Sequence, residues 1–195
     1  MTKGDDTKIY ILAAGLEMAS ELGLEDVTIG ALAKRTEMSK SGLYAHFQSK
    51  ENLQIAILEH AVELFKETVI VPALQKADGI SCIIALLDNW TYWGSKLPGG
   101  CIFVIASNEY IDRPGKVRDF LLNQQMNWHQ FLCRVAQSAV DADDFRIDSD
   151  CDQFAFELYS LMLGFHLYHK LLQSQDCAQR QQTALARLLD NYRKK

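Results

Sequence analysis

Residues 28–53, TIGALAKRTEMSKSGLYAHFQSKENL, constrain this chain more than any other stretch. Three hydroxyl residues, Thr28, Ser39 and Ser49, each precede a short apolar-periodic segment, the arrangement that starts a helix. Ile29, Leu32 and Ala33 share one face of the first segment, and Leu43 and Phe47 stand four apart on the second. Leu53 opens the apolar face of the third. The pattern predicts two short helices joined by a tight turn, with a longer helix following at once. The second helix, eight residues beginning Ser-Lys-Ser-Gly, is too short to be stable alone. It has the dimensions of a helix that enters a DNA major groove.

Composition agrees with an ordered helical chain. Of 195 residues, 48% are hydrophobic and only three are proline. The net charge of −5 excludes a protein that coats nucleic acid over its whole surface. Locally the sign reverses: Lys34, Arg35, Lys40 and Lys50 face only Glu37, a local +3. Phosphate neutralisation is counted contact by contact, so a patch of this size suffices. The first ten residues contain Asp5 and Asp6 and no apolar core of a signal peptide. Apolar runs such as 83–87 and 161–167 are too short or interrupted to span a bilayer. Five cysteines (Cys82, Cys101, Cys133, Cys151, Cys177), odd in number and never in C-x-x-C, suit reduced thiols in a cytoplasmic protein.

Further along, 7–22 reads as a first helix stopped by Gly23, and 50–69 as a long helix with one buried stripe. Pro72 is expected to end or kink that helix, with Val71 pushed off helical dihedrals. Helices are expected at 80–96, 101–110, 116–140, 153–172 and 178–192, with an acidic connection at 141–152. No strand pattern appears, and the predicted fold is all-α, about nine helices. The predicted organisation is a head at 1–48, a connecting helix at 49–72 and a body at 73–195.

At residues 28–53 the sequence resembles the TetR family of bacterial helix-turn-helix transcription regulators. Thr28, Leu32-Ala33, Ser39, Leu43-Tyr44, His46-Phe47, Ser49-Lys50-Glu51 and Leu53 stand in register with that family's head, whose pattern runs T-x-x-x-I-A-x-x-A-G-V-S-x-G-x-L-Y-x-H-F-x-S-K-E-x-L. Upstream, Ile11-Leu12, Ala14, Leu16, Met18, Ala19 and Gly23 match its first helix. Gly99-Gly100-Cys101 and Arg113-Pro114-Gly115 with Val117-Arg118 resemble the regulatory half of one subgroup. The departures are Glu37 at a turn position usually held by glycine, Thr36 where alanine is usual, and Ser41-Gly42 where Gly-Thr or Gly-Ser is commoner. Glutamate at positive φ costs about 1 kcal/mol or more, so a different turn is expected here.

The resemblance implies a ligand-responsive homodimer, a repressor released from a palindrome-like double-stranded operator by a small-molecule effector. It places Thr28, Ser39, Lys40, Ser41, Gly42, Tyr44, His46 and Lys50 at the DNA: Lys40 for a guanine edge or phosphate, and Tyr44, His46 and Lys50 as phosphate clamps. It implies an effector cavity in the aromatic-rich body, with Trp90, Trp93, Phe103 and Trp128 as candidate lining. It also implies pairing of the last two helices with their symmetry mates through Phe154, Leu158, Leu161, Met162, Phe165, Leu185, Leu188 and Leu189, with Gly164 permitting close approach. Periodicity alone leaves open whether those residues are buried within one chain instead.

Two other readings compete. His166 and His169, with Cys151 and Cys177 at a distance, offer metal-binding types at weak spacing, and Cys101 at a helix start is the best-placed thiol for redox sensing. No phosphate-binding glycine loop, G-x-S-x-G or carboxylate pair is found, which disfavours a helical-bundle enzyme. The expectation is no enzyme activity, no cofactor and no metal.

Overall fold

The computed structural model describes residues 3–76 and 79–194, the side chains of residues 3 and 5 excepted. Ten α-helices and one π-helical turn account for the described secondary structure: α1 Lys3–Leu22, α2 Ile29–Arg35, α3 Lys40–Phe47, α4 Lys50–Phe65, the π-turn Lys66–Ile70, α5 Val71–Leu74, α6 Ile80–Lys96, α7 Ile102–Tyr110, α8 Lys116–Asp141, α9 Cys151–Lys170 and α10 Cys177–Tyr192. No strand occurs among the described residues, only an isolated bridge between Phe145 and Arg193. The chain folds as two compact units, one of 1–66 with 95–123 and one of 67–94 with 124–195.

The first unit is built on the capping residues. Thr28 Oγ1 accepts from the Ala31 amide, Ser39 Oγ from Gly42, and Ser49 Oγ from Asn52, each at 3.1 Å. Each cap satisfies an amide that the first turn of a helix leaves unpaired. Behind them Leu32, Leu43, Leu53, Ile57 and Leu58 are fully buried, with Phe47 and Ile29 nearly so. α1 supplies Ile11, Leu16 and Ala19 to the same core. Its Gly15 is required by close approach, because a Cβ there would lie 2.6 Å from Ile57 Cδ1.

Segment 95–123 joins this unit through the Gly-Gly-Cys motif. The Gly99 amide donates to Ser20 Oγ at 2.9 Å, and a Cβ on Gly99 would stand 1.9 Å from the Ser20 carbonyl oxygen. Only glycine lets the chain lie so close to the end of α1. Phe103 of α7 meets Phe65 of α4 edge to face, 5.7 Å between centroids.

Pro72 acts earlier in the chain than expected. α4 ends at Phe65, and the helix then widens into the π-turn before α5 restarts with Pro72 in its first turn. Proline in mid-helix lacks an amide and clashes with the carbonyl four residues back, so the preceding turn loosens instead. Val71 consequently keeps helical structure as the first residue of α5, contrary to the expectation for a residue before proline. The passage from the first unit to the second at 66/67 falls inside this irregular turn.

In the second unit α9 and α10 lie against each other, closed by Phe145, Phe154 and Tyr192, whose rings stand 5.0–5.7 Å apart. Gln181 of α10, buried, accepts from Thr91 Oγ1 of α6 at 3.3 Å. Ile83, Leu86 and Leu87 on α6 and Leu132, Ala136 and Ala139 on α8 complete that core.

Candidate nucleic-acid interface

The turn between α2 and α3 sets how α3 is presented. Thr36 ends α2 and satisfies its carbonyls twice: its amide and its Oγ1 both donate to Leu32 O, at 2.9 Å. Glu37 follows at φ 56°, and the Met38 amide donates to Ala33 O at 3.0 Å. This is the left-handed helix end that glycine normally supplies. The expectation of a different turn is therefore corrected: the turn is kept, and glutamate carries the strain.

Beyond it, α3 buries Leu43 and Phe47, half-buries Gly42 and exposes the rest. Ser39, Lys40, Ser41, Tyr44 and His46 are exposed, Tyr44 to 57%. Gly42 is half-buried because its amide serves the Ser39 cap, and a Cβ there would lie only 3.0 Å from Ser39 Oγ. Thr28 is half-buried at the start of α2, where a Cβ on Gly30 would sit 4.0 Å from both Thr28 Oγ1 and Lys40 Cε. The helix thus offers its N-terminal turn, with two hydroxyls and a lysine, as one continuous exposed polar surface. Short groups and amides at a helix N-terminus suit phosphate contact and close approach to base edges.

Lys50 is differently placed. Its Nζ lies 2.6 Å from Glu25 Oε1, at the start of α4. The other oxygen of that carboxylate accepts from the Tyr110 hydroxyl at 2.7 Å and lies 3.3 Å from Arg113 Nη1. The Lys50 ammonium, helped by the Tyr110 hydroxyl, holds the Glu25 carboxyl below its ordinary value. Burial, together with that carboxylate, pushes the Tyr110 phenol up. The Arg113 guanidinium also covers the Tyr110 ring at 5.8 Å. A phosphate contact by Lys50 must share its charge with Glu25. Arg35 is engaged in the same way, 2.7 Å from Glu21. Lys34 and Lys40 remain exposed, and neither forms an ion pair with another described residue.

Of Glu25, Glu109, Tyr110 and Arg113, the sequence reading gave a role to none and noted Arg113 only within a motif. Glu109 accepts from the Glu25 amide at 3.1 Å, and its Oε1 fills the space where a Cβ on Gly23 would lie. They tie the C-terminal end of α7 to the loop before α2 and to the base of α4, within one unit. Only the Arg113-Pro114-Gly115 motif hinted at this region.

The predicted effector residues divide. Trp90 and Trp93 are buried on α6, and Trp128 is half-buried on α8, stacked on Phe131 at 5.6 Å. Phe103 belongs to the other unit and packs on Phe65. Of the four, Trp90 lines a cavity of about 10 Å³ with Thr91, Gly94, Phe165, His166, His169 and Lys170, room for about one water. His166 and His169 thus flank Trp90, and Cys177 Sγ lies 3.7 Å from His169 Nδ1. Cys101 is the N-cap of α7 as expected, but it is only 2% exposed. None of the five cysteines is in a disulfide.

The predicted dimer residues lie mostly inside the chain. Phe154, Leu158, Met162, Phe165, Leu185, Leu188 and Leu189 are all buried within the chain's own core, and Leu161 is half-buried. α9 is apolar on two faces, and the sequence pattern points first to the inner one. The outer stripe, Phe156, Leu163, Leu167 and Leu171 at i, i+7, i+11 and i+15, is 40–73% exposed. Gly164 lies on this outer stripe, and a Cβ there would meet nothing within 4 Å.

A capped two-helix unit presenting a short polar helix, inside an all-α chain, defines a helix-turn-helix DNA-binding protein. The comparisons make this specific. Residues 11–57 match the family described as bacterial regulatory proteins, tetR family, and 79–185 match the tetracyclin repressor-like C-terminal domain. The chain belongs to the TetR family of transcription regulators. It is 23% identical over 175 residues to the HTH-type transcriptional repressor NemR of Escherichia coli K12, covering 87% of this chain and 86% of that protein. The reduced form of E. coli NemR superposes with a TM-score of 0.80, covering 97% of each chain. A TetR-family regulator from Cytophaga hutchinsonii, 21% identical, gives a TM-score of 0.88 over 100% of this chain and 98% of that one. AibR, in complex with isovaleryl coenzyme A and operator DNA, is 21% identical with a TM-score of 0.75 over 93% and 97%. Among the described residues no helix is long and apolar enough to cross a membrane.

Proposed function

We propose that this chain is a cytoplasmic, homodimeric repressor that binds a palindrome-like operator through α3 and is released by a small-molecule effector, with no catalytic activity of its own. The observation that carries the reading is the exposed N-terminal surface of α3 (Ser39, Lys40, Ser41, Tyr44), fixed from behind by Leu43 and Phe47. NemR, itself named a repressor, and AibR, seen with both a ligand and operator DNA, support it. Head, connecting helix and effector body at 1–48, 49–72 and 73–195 remain the proposed division of labour. The cluster of Glu25, Lys50, Tyr110 and Arg113 gives α7 a polar grip on the base of α4, three residues beyond the end of α3. An effector that binds the conformation with this grip altered moves α3 relative to its mate across the dimer. A coupling of about 1–3 kcal/mol loosens the operator roughly 5- to 150-fold.

The test is selection of bound fragments from sheared genomic DNA, followed by release with candidate effectors. Trp90, Trp93 and Trp128 fluorescence reports the effector directly. Recovery of no sequence above background defeats the proposal. Release by peroxide alone, abolished in Cys101→Ser, would replace the small-molecule reading with thiol sensing. The burial of Cys101 argues against that outcome, since a peroxide must reach the sulfur.

A further inference from the structure

We infer that His129, Cys133 and Asp152 form a binding site for a zinc-class divalent ion, linking α8 to the start of α9. The site is built by two local patterns. His129 and Cys133 stand at i, i+4 on α8, so both side chains leave the same face one turn apart. Asp152 is placed by the N-cap of α9, where Asp150 Oδ1 accepts from the Asp152 and Gln153 amides at 3.1 and 3.0 Å. The three ligating atoms, an imidazole nitrogen, a thiol sulfur and a carboxylate oxygen, all lie within 4.8 Å of one another.

Two of the three distances are those of a tetrahedron's edges. Cys133 Sγ lies 3.6 Å from His129 Nε2 and 3.5 Å from Asp152 Oδ1. Zinc bonds of about 2.3 Å to sulfur and about 2.0–2.2 Å to nitrogen and oxygen set S···N and S···O edges of about 3.5–3.6 Å, and an N···O edge of about 3.4 Å. Two edges already fit. The third, His129 Nε2 to Asp152 Oδ1, is 2.8 Å, a hydrogen bond that must open by about 0.6 Å. Asp152 is free to make that movement, with its side chain 83% exposed.

The donor set also selects the ion. One thiolate and one imidazole favour zinc-class metals over calcium or magnesium, which take oxygen ligands. Three protein ligands beside open solvent leave the fourth position to water. The surrounding connection, 141–152, carries six aspartates and one arginine, a negative field around an incoming cation. Binding would fasten the middle of α8 to the first turn of α9 and close the 142–150 loop. This site uses none of His166, His169, Cys151 and Cys177, the set that the sequence suggests.

The experiment is titration of the full-length reduced protein with cobalt(II), whose absorption reports ligand type and geometry. The expected result is one equivalent giving tetrahedral d–d bands with a thiolate-to-cobalt charge-transfer band, displaced by zinc. Cys133→Ser should abolish the charge-transfer band, and His129→Ala and Asp152→Asn should each weaken binding roughly tenfold or more. Cys151→Ser should keep the band, since water and not Cys151 completes the set. Zinc should raise the melting temperature of the wild type and leave Cys133→Ser unchanged. Absence of the charge-transfer band in wild type, its survival in Cys133→Ser, or its loss only in Cys177→Ser would overturn the assignment.

Discussion

At the scale of single residues, Glu37 shows a sequence rule broken and the structure kept. A left-handed residue is required there to end α2 and to let Met38 reach Ala33 O, and glutamate occupies it at φ 56°. Glu37→Gly relieves a strain of about 1–2 kcal/mol, part of which returns as backbone entropy of the unfolded chain. Chemical denaturation should show a gain of about 0.5–1 kcal/mol, and a loss would mean that the Glu37 side chain contributes more than its backbone costs. The sequence placed this turn, because the caps around it fix the register, but the glutamate there misled the reading of its conformation. Glu25 was illegible for the opposite reason. Its partners Lys50, Tyr110 and Arg113 lie as far as 88 positions along the chain, and no spacing rule joins them.

That cluster has a pH signature. The Glu25 carboxyl is held below its ordinary value of 4.5, so its contribution is present above that pH and is lost as pH falls through the lowered value. The Tyr110 phenol is raised above its ordinary value of 10.0, so its contribution is complete below pH 10 and disappears as pH rises beyond it. Stability measured against pH should therefore plateau between those limits. Glu25→Gln should flatten the acid limb, whereas an unchanged acid limb would show that Glu25 and its partners add nothing. Glu25 is too exposed for the effect to be large.

At the scale of elements, α9 offers two apolar faces to one sequence pattern. Its inner face holds Phe154, Leu158, Met162 and Phe165, and its outer stripe holds Phe156, Leu163, Leu167 and Leu171. Both repeat at helical spacing, so a period search finds two apolar faces and cannot rank them. Burial ranks them at once, and the outer stripe becomes the surface proposed for dimerisation. Leu163→Glu with Leu167→Glu should give a folded monomer by sedimentation. Leu158→Ala should leave the dimer intact but cost about 2–5 kcal/mol, as large-to-small changes in a packed core do. A dimer that survives the double glutamate variant would move the interface elsewhere. The break at Lys66–Ile70 is a second case. Proline was legible, but its effect was displaced into the turn before it, where widening the helix costs less than a clash.

At the scale of the whole molecule, the account rests on α3 as a DNA reader carried by a ligand-responsive dimer. Fold class was legible in the sequence because capped short helices, a buried stripe along α4 and the absence of strand patterns all agreed. Which aromatic residues would line an effector site was not legible, because aromatic residues line a pocket and fill a core with the same periodicity. Two symmetry-related α3 helices should contact half-sites about one helical turn apart, roughly 34–36 Å, or at a wider spacing set by the dimer. The measurement that tests this most directly is anisotropy titration of the selected operator and of a scrambled duplex, over a salt series, with wild type, Tyr44→Ala and Lys40→Ala. The account predicts operator binding about 10³-fold or more tighter than scrambled at physiological salt. It predicts Tyr44→Ala weakening both duplexes alike, and Lys40→Ala losing discrimination at one base position while reducing the salt slope by at most about one contact. Equal wild-type affinity for the two duplexes, or discrimination untouched by every α3 substitution, would contradict it.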